Sequence, residues 1–214
     1  MKVLEEIADG VRQGDSSLVR DLIQRALRQA LAAERILEGG LIPGMDEVGV
    51  KFKKNEIFIP EVIIASRAMK SGIEALRPHF GPLGLPLRGK VIMATVKGDL
   101  HDIGKKIVCL MLEAAALEVV DLGVDIPKEQ LVRAVRTEKP DVVGLSALLT
   151  STMTYMGEVV TAAGAAGLRR KIKIIVGGAP VTASYAEEIE ADGFAPDAAS
   201  AVTLVKSLLS GKKG

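Results

Sequence analysis

The sequence has no tryptophan, and aromatic residues make up only 3% of its 214 positions. So few aromatic rings argue against a protein that binds single-stranded nucleic acid by base stacking. Charge of one sign is also missing, because 28 lysines and arginines are balanced by 27 aspartates and glutamates. The sequence therefore predicts neither a nucleic-acid partner nor binding to an anionic membrane.

Cysteine and long hydrophobic runs are equally scarce. The one cysteine, Cys109, excludes an internal disulfide and fits a reducing cytoplasm. It falls in a predicted apolar helix, which favours a buried, inert thiol. No hydrophobic run approaches the length of a membrane span, and the acidic N-terminal residues are unlike a signal peptide. We therefore expect a cytoplasmic protein with no membrane partner.

The first 76 residues predict four amphipathic helices, enough for a small bundle. Gly39-Gly40 and Pro43-Gly44 interrupt the third apolar stripe, and Pro60 suits the first turn of the fourth helix. Between these two helices, the segment 52–60 is too polar and short to be a helix of its own. Its apolar side chains either plug the end of the bundle, which is the default interpretation, or cover something else.

Residues 77–89 contain three prolines and three glycines, which predicts a semi-rigid linker. We expect the domain boundary here, between a helical domain over residues 1–76 and a second domain over residues 90–214. His79 lies in this linker and is expected to be solvated.

From Lys90 onward, short apolar strands alternate with helices. Strands are predicted at 91–96, 118–122, 141–146, 172–176 and 193–194, with helices at 104–116, 127–138, 153–166, 184–190 and 198–209. This alternation predicts an α/β fold with a doubly wound parallel sheet of five strands. The flavodoxin-like, or Rossmann-like, order 2-1-3-4-5 suits this length.

Polar side chains and glycines follow three of the predicted strands at one edge of the sheet. Gly98-Asp99-Leu100-His101-Asp102-Ile103-Gly104 follows the first strand, the segment 146–152 follows the third, and Gly177-Gly178 follows the fourth. Ligands bind at this edge of open parallel sheets. A carboxylate beside His101 can hold one ring nitrogen and make the other a better metal donor. The alternative is that His101 is a solvated loop residue and Asp99 a helix cap.

The loop that holds His101 differs from several common ligand sites. It lacks the G-x-G-x-x-G pattern of a dinucleotide site, and the third strand ends at Ser146 rather than at the aspartate of a phospho-acceptor domain. The chain offers no cluster of cysteines and histidines for zinc. A metal that brings most of its own ligands and needs one protein nitrogen fits best, which describes a haem or a corrin.

Three motifs together resemble a known family. Asp99-x-His101-x-x-Gly104, Ser146-x-Leu148 and Gly177-Gly178 resemble the cobalamin-binding signature of corrinoid methyltransferases and cobalamin-dependent mutases. The segment from Leu41 to Lys70 resembles the helical cap of the methionine-synthase-type cobalamin module. The chain, from residue 1 to about 210, is most similar to the stand-alone corrinoid proteins of methanol, methylamine and betaine methyltransferase systems.

The resemblance implies a role for each matching residue. His101 would be the lower axial ligand of cobalt, and Asp99 would accept a hydrogen bond from its other ring nitrogen. Thr152, or Ser151 beside it, would complete this relay. The remaining cofactor-binding residues that it implies are Asp102, Ile103, Gly104, Ser146, Leu148, Thr150, Gly177, Gly178, Ala195 and Asp197, with Phe52 and Ile59 of the cap covering the cobalt-bound methyl group.

The implied cofactor is cobalamin, whose cobalt alternates between cob(I)alamin and methylcob(III)alamin. The resemblance implies a methyl carrier that is not catalytic alone. Its partners would be a substrate-specific methyltransferase, an acceptor methyltransferase that uses tetrahydrofolate or a thiol, and a reductive activase. A cobalamin-binding sensor and the small subunit of an adenosylcobalamin-dependent mutase are the alternatives.

Overall fold

The computed structural model describes residues 2–80 and 87–211 and divides the chain into two compact units. The first unit reaches Leu87 and also takes in Glu113–Ala116, and the second begins at Arg88. Residues 81–86 of the predicted linker lie outside the described residues, so the domain limits stay a prediction. His79 is exposed in the short 3₁₀ turn Arg77–His79.

Helices make up the first unit. They are α1 (Lys2–Gln13), α2 (Ser16–Arg28), α3 (Ala33–Ile36), a π-helical turn (Leu37–Leu41), α4 (Ile42–Lys53) and α5 (Ile59–Leu76). Helix α1 contacts α2, α4 and α5, and α5 also contacts α2 and α4. Ile7, Ile23 and Leu41 are fully buried in this unit. Their helical spacing in the sequence therefore produces the predicted bundle.

Two details of the helical unit differ from the sequence prediction. Gly39-Gly40 lie in the π-helical turn and Pro43-Gly44 lie in the first turn of α4, so α3 continues into α4 without a loop. The expected plugging of the bundle by the segment 52–60 is wrong for Phe58 and Ile59. The side chain of Phe58 is 65% exposed and that of Ile59 is 39% exposed. Both residues lie where α5 begins, and the backbone N–H of Phe58 donates to Glu61 at 3.1 Å.

The second unit is built on five parallel strands in the order β2-β1-β3-β4-β5, as predicted. The strands are β1 (Lys90–Thr95), β2 (Glu118–Asp121), β3 (Val142–Ser146), β4 (Lys173–Gly177) and β5 (Gly193–Phe194). The helices are α6 (Ile103–Ala114), α7 (Lys128–Glu138), α8 (Thr150–Met153), α9 (Tyr155–Ala165), α10 (Ala183–Glu188) and α11 (Ala198–Ser210). The predicted helix at 153–166 is thus preceded by a separate short turn, α8.

Both faces of strand β1, which lies between β2 and β3, are covered. Ile92 and Ala94 share one core with residues of α7, α9 and α10. Val91 and Met93, which point to the opposite face because side chains alternate along a strand, are also buried. This double burial explains why the strands read as continuous apolar runs. Within the two described ranges, no helix is both long and apolar enough to cross a membrane.

Gly178, directly after β4, provides a test of the sheet edge. Its φ of +128° is a conformation that side chains rarely adopt, and an added Cβ would overlap the carbonyl oxygen of Ala147. We expect Gly178→Ala to lower the free energy of unfolding by about 2–4 kcal/mol in chemical denaturation.

Gly164→Ala is the matched control, because Gly164 lies in α9 and a Cβ there meets no atom within 4 Å. Helix propensity predicts that this change is neutral or stabilises by up to about 1 kcal/mol. Equal effects of the two variants would contradict the packing described at Gly178.

Candidate functional site

The three predicted loops begin at the same level of the sheet. Thr95 pairs with Ser146, and Ser146 pairs with Gly177, so that β1, β3 and β4 end in register. The backbone N–H of Val96 donates to Ser146 at 3.1 Å, and that of Ala147 donates to Gly177 at 3.2 Å. The sheet therefore brings the loops that follow these strands to one edge, where open parallel sheets bind ligands.

The carboxylate of Asp99 is the centre of this edge. Its side chain is fully buried. Oδ1 accepts hydrogen bonds from the backbone N–H of His101 at 3.0 Å and from the His101 ring at 2.8 Å. Oδ2 accepts from the backbone N–H of Leu148 at 2.7 Å, that of Leu149 at 3.3 Å and the hydroxyl of Thr152 at 2.7 Å. One carboxylate thus joins the loops after β1 and β3.

These donors decide the charge of Asp99. Burial alone raises the pKa of this carboxyl group, because it disfavours the charged form. The hydrogen bonds from Thr152, Leu148 and His101 outweigh burial and hold the pKa of Asp99 well below its usual range. Asp99 is therefore a buried carboxylate at neutral pH.

Asp99 fixes which nitrogen of His101 is free to bind a ligand. Nδ1 lies 2.8 Å from Oδ1 of Asp99, so we assign the imidazole proton to Nδ1. Among the described residues, Nε2 has no hydrogen-bond partner, and the side chain of His101 is 52% exposed. Thr95 also holds the loop, since its buried hydroxyl donates to the carbonyl oxygen of His101 at 3.0 Å. The arrangement presents one oriented ring nitrogen at the surface of the second unit.

Thr152, and not Ser151, contacts the carboxylate. The hydroxyl of Thr152 is buried and donates to Asp99, whereas Ser151 is exposed in the same helical turn, α8. The sequence alone left these two neighbours as alternatives because either hydroxyl could complete the relay. The local turn of α8 is what selects Thr152.

Several of the predicted site residues provide open space, exposed side chains or a free hydroxyl at the edge of the sheet that holds His101, counted among the described residues. An added Cβ on Gly104 would meet no atom within 4 Å. Ile103 is 77% exposed and Leu148 is 44% exposed. Thr150 is exposed at the start of α8, and no hydrogen bond joins the half-buried hydroxyl of Ser146 to another of the described residues. These residues are available to a ligand at the same edge as His101.

Other predicted residues already have structural partners. Ala195 is buried, and its N–H donates to Val176 at 3.0 Å. Asp197 caps α11 by accepting from the N–H of Ser200 at 2.7 Å. Asp102 forms an ion pair with Lys106 at 2.5 Å, and this hydrogen bond lowers the pKa of Asp102. Gly177 is packed beside Ala195, whose carbonyl oxygen lies 2.8 Å from where a Cβ would be.

Phe52 and Ile59 belong to the first unit and are described within it. Phe52 is half-buried near the end of α4, and Ile59 is the exposed first residue of α5. Together with the exposed Phe58, they place apolar side chains at the turn between these two helices.

Sequence reasoning missed two hydrogen bonds that hold the loop after β1 and one ion pair beside that loop. Asp125 accepts a hydrogen bond from the N–H of Gly98 at 2.7 Å and donates its own N–H to the carbonyl oxygen of Asp99 at 3.0 Å. The buried Lys105 forms an ion pair with Asp121 at the end of β2. The sequence around Asp125 predicts a turn, but nothing in it identifies these partners.

The protein side chains available here fit a metal cofactor in which the organic ring already provides most of the metal ligands. Within residues 2–80 and 87–211, no group of three or more His, Cys, Asp or Glu side chains could enclose a metal ion. A single imidazole nitrogen backed by a buried carboxylate is instead suited to an axial position.

Comparisons with known proteins agree with this chemistry. Two models of the B12 binding domain match the chain, one over residues 89–204 and the other over residues 3–77. A corrinoid protein of Desulfitobacterium hafniense (strain Y51) is 37% identical, and the dimethylamine corrinoid protein of Methanosarcina barkeri is 38% identical. Each match covers 98% of both chains. In the crystal structure of the methanol:cobalamin methyltransferase complex MtaBC from Methanosarcina barkeri, one chain matches with a TM-score of 0.88 at 30% identity. That match covers 98% of this chain and 80% of that one.

Asp99→Asn tests the central carboxylate in the cofactor-free chain. An asparagine amide places N–H groups against donors that need an acceptor, so we expect a loss of about 2–4 kcal/mol in the free energy of unfolding. Glu129→Gln, at an exposed carboxylate in the first turn of α7, is the control and should leave the denaturation midpoint nearly unchanged.

The comparison of wild type with Asp99→Asn also gives a prediction for the pH dependence of stability. Because the pKa of Asp99 is lower in the folded chain than in the unfolded chain, its stabilisation is complete above the ordinary aspartate pKa of about 3.9. This stabilisation is lost as pH falls through the lower pKa of Asp99 in the folded chain. The stability difference between wild type and Asp99→Asn should stay constant down to about pH 5 and shrink below about pH 4. A difference that grows in acid would contradict the assignment.

Proposed function

This chain belongs to the B12-binding domain family, and from that premise we propose that it carries a methyl group on cobalamin between two methyltransferases. The observation that carries the proposal is the oriented Nε2 of His101, held by the buried carboxylate of Asp99. Cobalamin supplies a cobalt ion that accepts and releases a methyl group. The chain supplies the site that holds it.

His101 is the protein ligand of cobalt in this proposal. Asp99 holds the proton on Nδ1 and so keeps the lone pair on Nε2 directed at the metal. Thr152 keeps Asp99 in place through its 2.7 Å hydrogen bond. A carboxylate behind the ring also makes the imidazole a stronger donor, which suits a metal that needs one nitrogen from the protein.

The open positions around His101 provide room for the rest of the cofactor. Gly104 leaves free space, the hydroxyl of Ser146 has no partner among the described residues, and Leu148 and Ile103 offer exposed apolar surface. We assign the cofactor's nucleotide tail to this edge of the sheet. The remaining residues that we place beside it are Asp102, Thr150, Gly177, Gly178, Ala195 and Asp197.

Apolar residues at the turn between α4 and α5, of which Phe58 and Ile59 are exposed and Phe52 is half-buried, suit a cover for the cofactor. Phe52 and Ile59 are the residues to which we give this role, and an apolar cover excludes water from a reactive metal–carbon bond. The exposure of Phe58 and Ile59 supports this role over that of plugging the bundle.

The partners in this proposal are enzymes that hold the methyl donor and the methyl acceptor. Relatives of the chain are named for dimethylamine and for methanol, so we propose a donor methyltransferase that acts on a small methylated amine or alcohol. The acceptor methyltransferase, which uses tetrahydrofolate or a thiol, and a reductive activase complete the proposed system. We place the system in the cytoplasm, in keeping with a single, buried cysteine.

Substitution of His101 tests the metal ligand. We expect cobalamin-loaded wild type, reduced to Co(II), to show electron paramagnetic resonance splitting from one nitrogen. Labelling only the protein with ¹⁵N should change the multiplicity of that splitting. The protein-derived splitting should be absent in His101→Ala.

His79→Ala is the matched control, because the sequence contains only two histidines and His79 is exposed. It should retain the wild-type spectrum. Splitting that is insensitive to ¹⁵N in the protein would assign the axial nitrogen to the cofactor's own base and contradict the proposal.

Gly104→Ala separates folding from cofactor binding. In the cofactor-free chain, alanine near the start of α6 should stabilise the protein by up to about 1 kcal/mol, since no atom opposes the new Cβ. The methyl group would enter the space that we assign to the cofactor, so the Kd for cobalamin should rise about tenfold. Unchanged affinity, measured by absorbance titration, would remove Gly104 from the cofactor site.

A further inference from the structure

The hydroxyl of Tyr185 joins two loops of the candidate site. Tyr185 lies in α10, which follows the Gly177-Gly178 loop after β4. Its hydroxyl donates to the carbonyl oxygen of Met153 at 2.8 Å. Met153 is the last residue of α8, directly after Thr152. One side chain therefore connects the segment after β4 to the segment that provides Thr152.

The backbone around Met153 makes this contact important. Helix α8 has only four residues and ends before α9 begins at Tyr155. The N–H groups of Thr152 and Met153 donate to the carbonyl oxygen of Leu149 at 3.2 and 3.0 Å. Thr154, in a right-handed helical conformation, is the one residue between α8 and α9, and Tyr185 adds a contact to this junction from a different helix.

Tyr185 is fixed at the start of its own helix, and its hydroxyl is a hydrogen-bond donor. Its N–H donates to the Thr182 hydroxyl at 3.1 Å, which caps α10. Burial raises the pKa of Tyr185, so the hydroxyl stays protonated and can donate at neutral pH.

We propose that Tyr185 is a positioning residue for the cofactor site, acting through Met153 to set the Thr152 hydroxyl against the carboxylate of Asp99. The geometry forms a chain from Tyr185 to Met153 at 2.8 Å, then from Thr152 to Asp99 at 2.7 Å, and from Asp99 to the His101 ring at 2.8 Å. Nothing in the sequence motifs identifies Tyr185. As a statement about cobalamin binding, this inference rests on the proposed function.

Tyr185→Phe removes the hydroxyl and keeps the ring. In the cofactor-free chain, we expect the Leu148 amide, which donates to Asp99, to exchange with solvent about 3- to 10-fold faster. The Ala195 amide, which donates to Val176, is the internal reference and should not change. An unchanged Leu148 rate would overturn the inference.

Tyr155→Phe is the matched control, because it deletes the only other tyrosine hydroxyl in the chain. That hydroxyl accepts from the N–H of Lys128, the first residue of α7, at 3.1 Å. The Leu148 amide should exchange at the wild-type rate in this variant. Equal acceleration in both variants would show general loosening and would also overturn the inference.

A double-mutant cycle distinguishes positioning from a separate structural contribution. We expect Tyr185→Phe to raise the Kd for cobalamin about 3- to 10-fold in wild type but to have no further effect in Thr152→Val. Multiplicative effects of the two substitutions would show that Tyr185 does not act through Thr152. Because the exchange measurement needs no cofactor, its outcome is independent of whether His101 binds cobalt.

Discussion

The site depends on the burial of one charged carboxylate. Removing a carboxylate from water is costly unless hydrogen bonds replace its hydration, and Asp99 receives them from two backbone segments, one hydroxyl and one imidazole ring. These donors come from loops that follow different strands. The requirement to satisfy one buried charge therefore fixes the loops after β1 and β3, and with them the orientation of His101.

The sheet and the centre of the site could be predicted from local patterns. Apolar runs and helical spacing predicted where the strands and helices lie, because those patterns follow directly from which side chains are buried. The strand order was predicted from the flavodoxin-like topology that suits an α/β chain of this length. Asp99 and His101 lie two residues apart, so their contact needs only the turn that joins a strand to a helix. Thr152 was harder, because its choice over Ser151 depends on the turn of α8.

Contacts between distant segments could not be predicted in this way. Asp125, Tyr185 and the ion pair of Lys105 with Asp121 all join segments separated in sequence, and their partners are defined only by the folded sheet. The exposure of Phe58 also reversed the default expectation. Apolar residues at the end of a bundle usually complete its core, whereas Phe58 and Ile59 are exposed. Such exceptions to burial are expected at functional positions.

The central claim is that His101 supplies the axial nitrogen of cobalt. The most direct measurement is a crystal structure of the protein with bound cobalamin. The account predicts a bond from Nε2 of His101 to cobalt, with Nδ1 still in contact with Asp99 and the cofactor's own base displaced from the metal. A cobalt ion ligated by that base, with the imidazole of His101 directed into solvent, would contradict it.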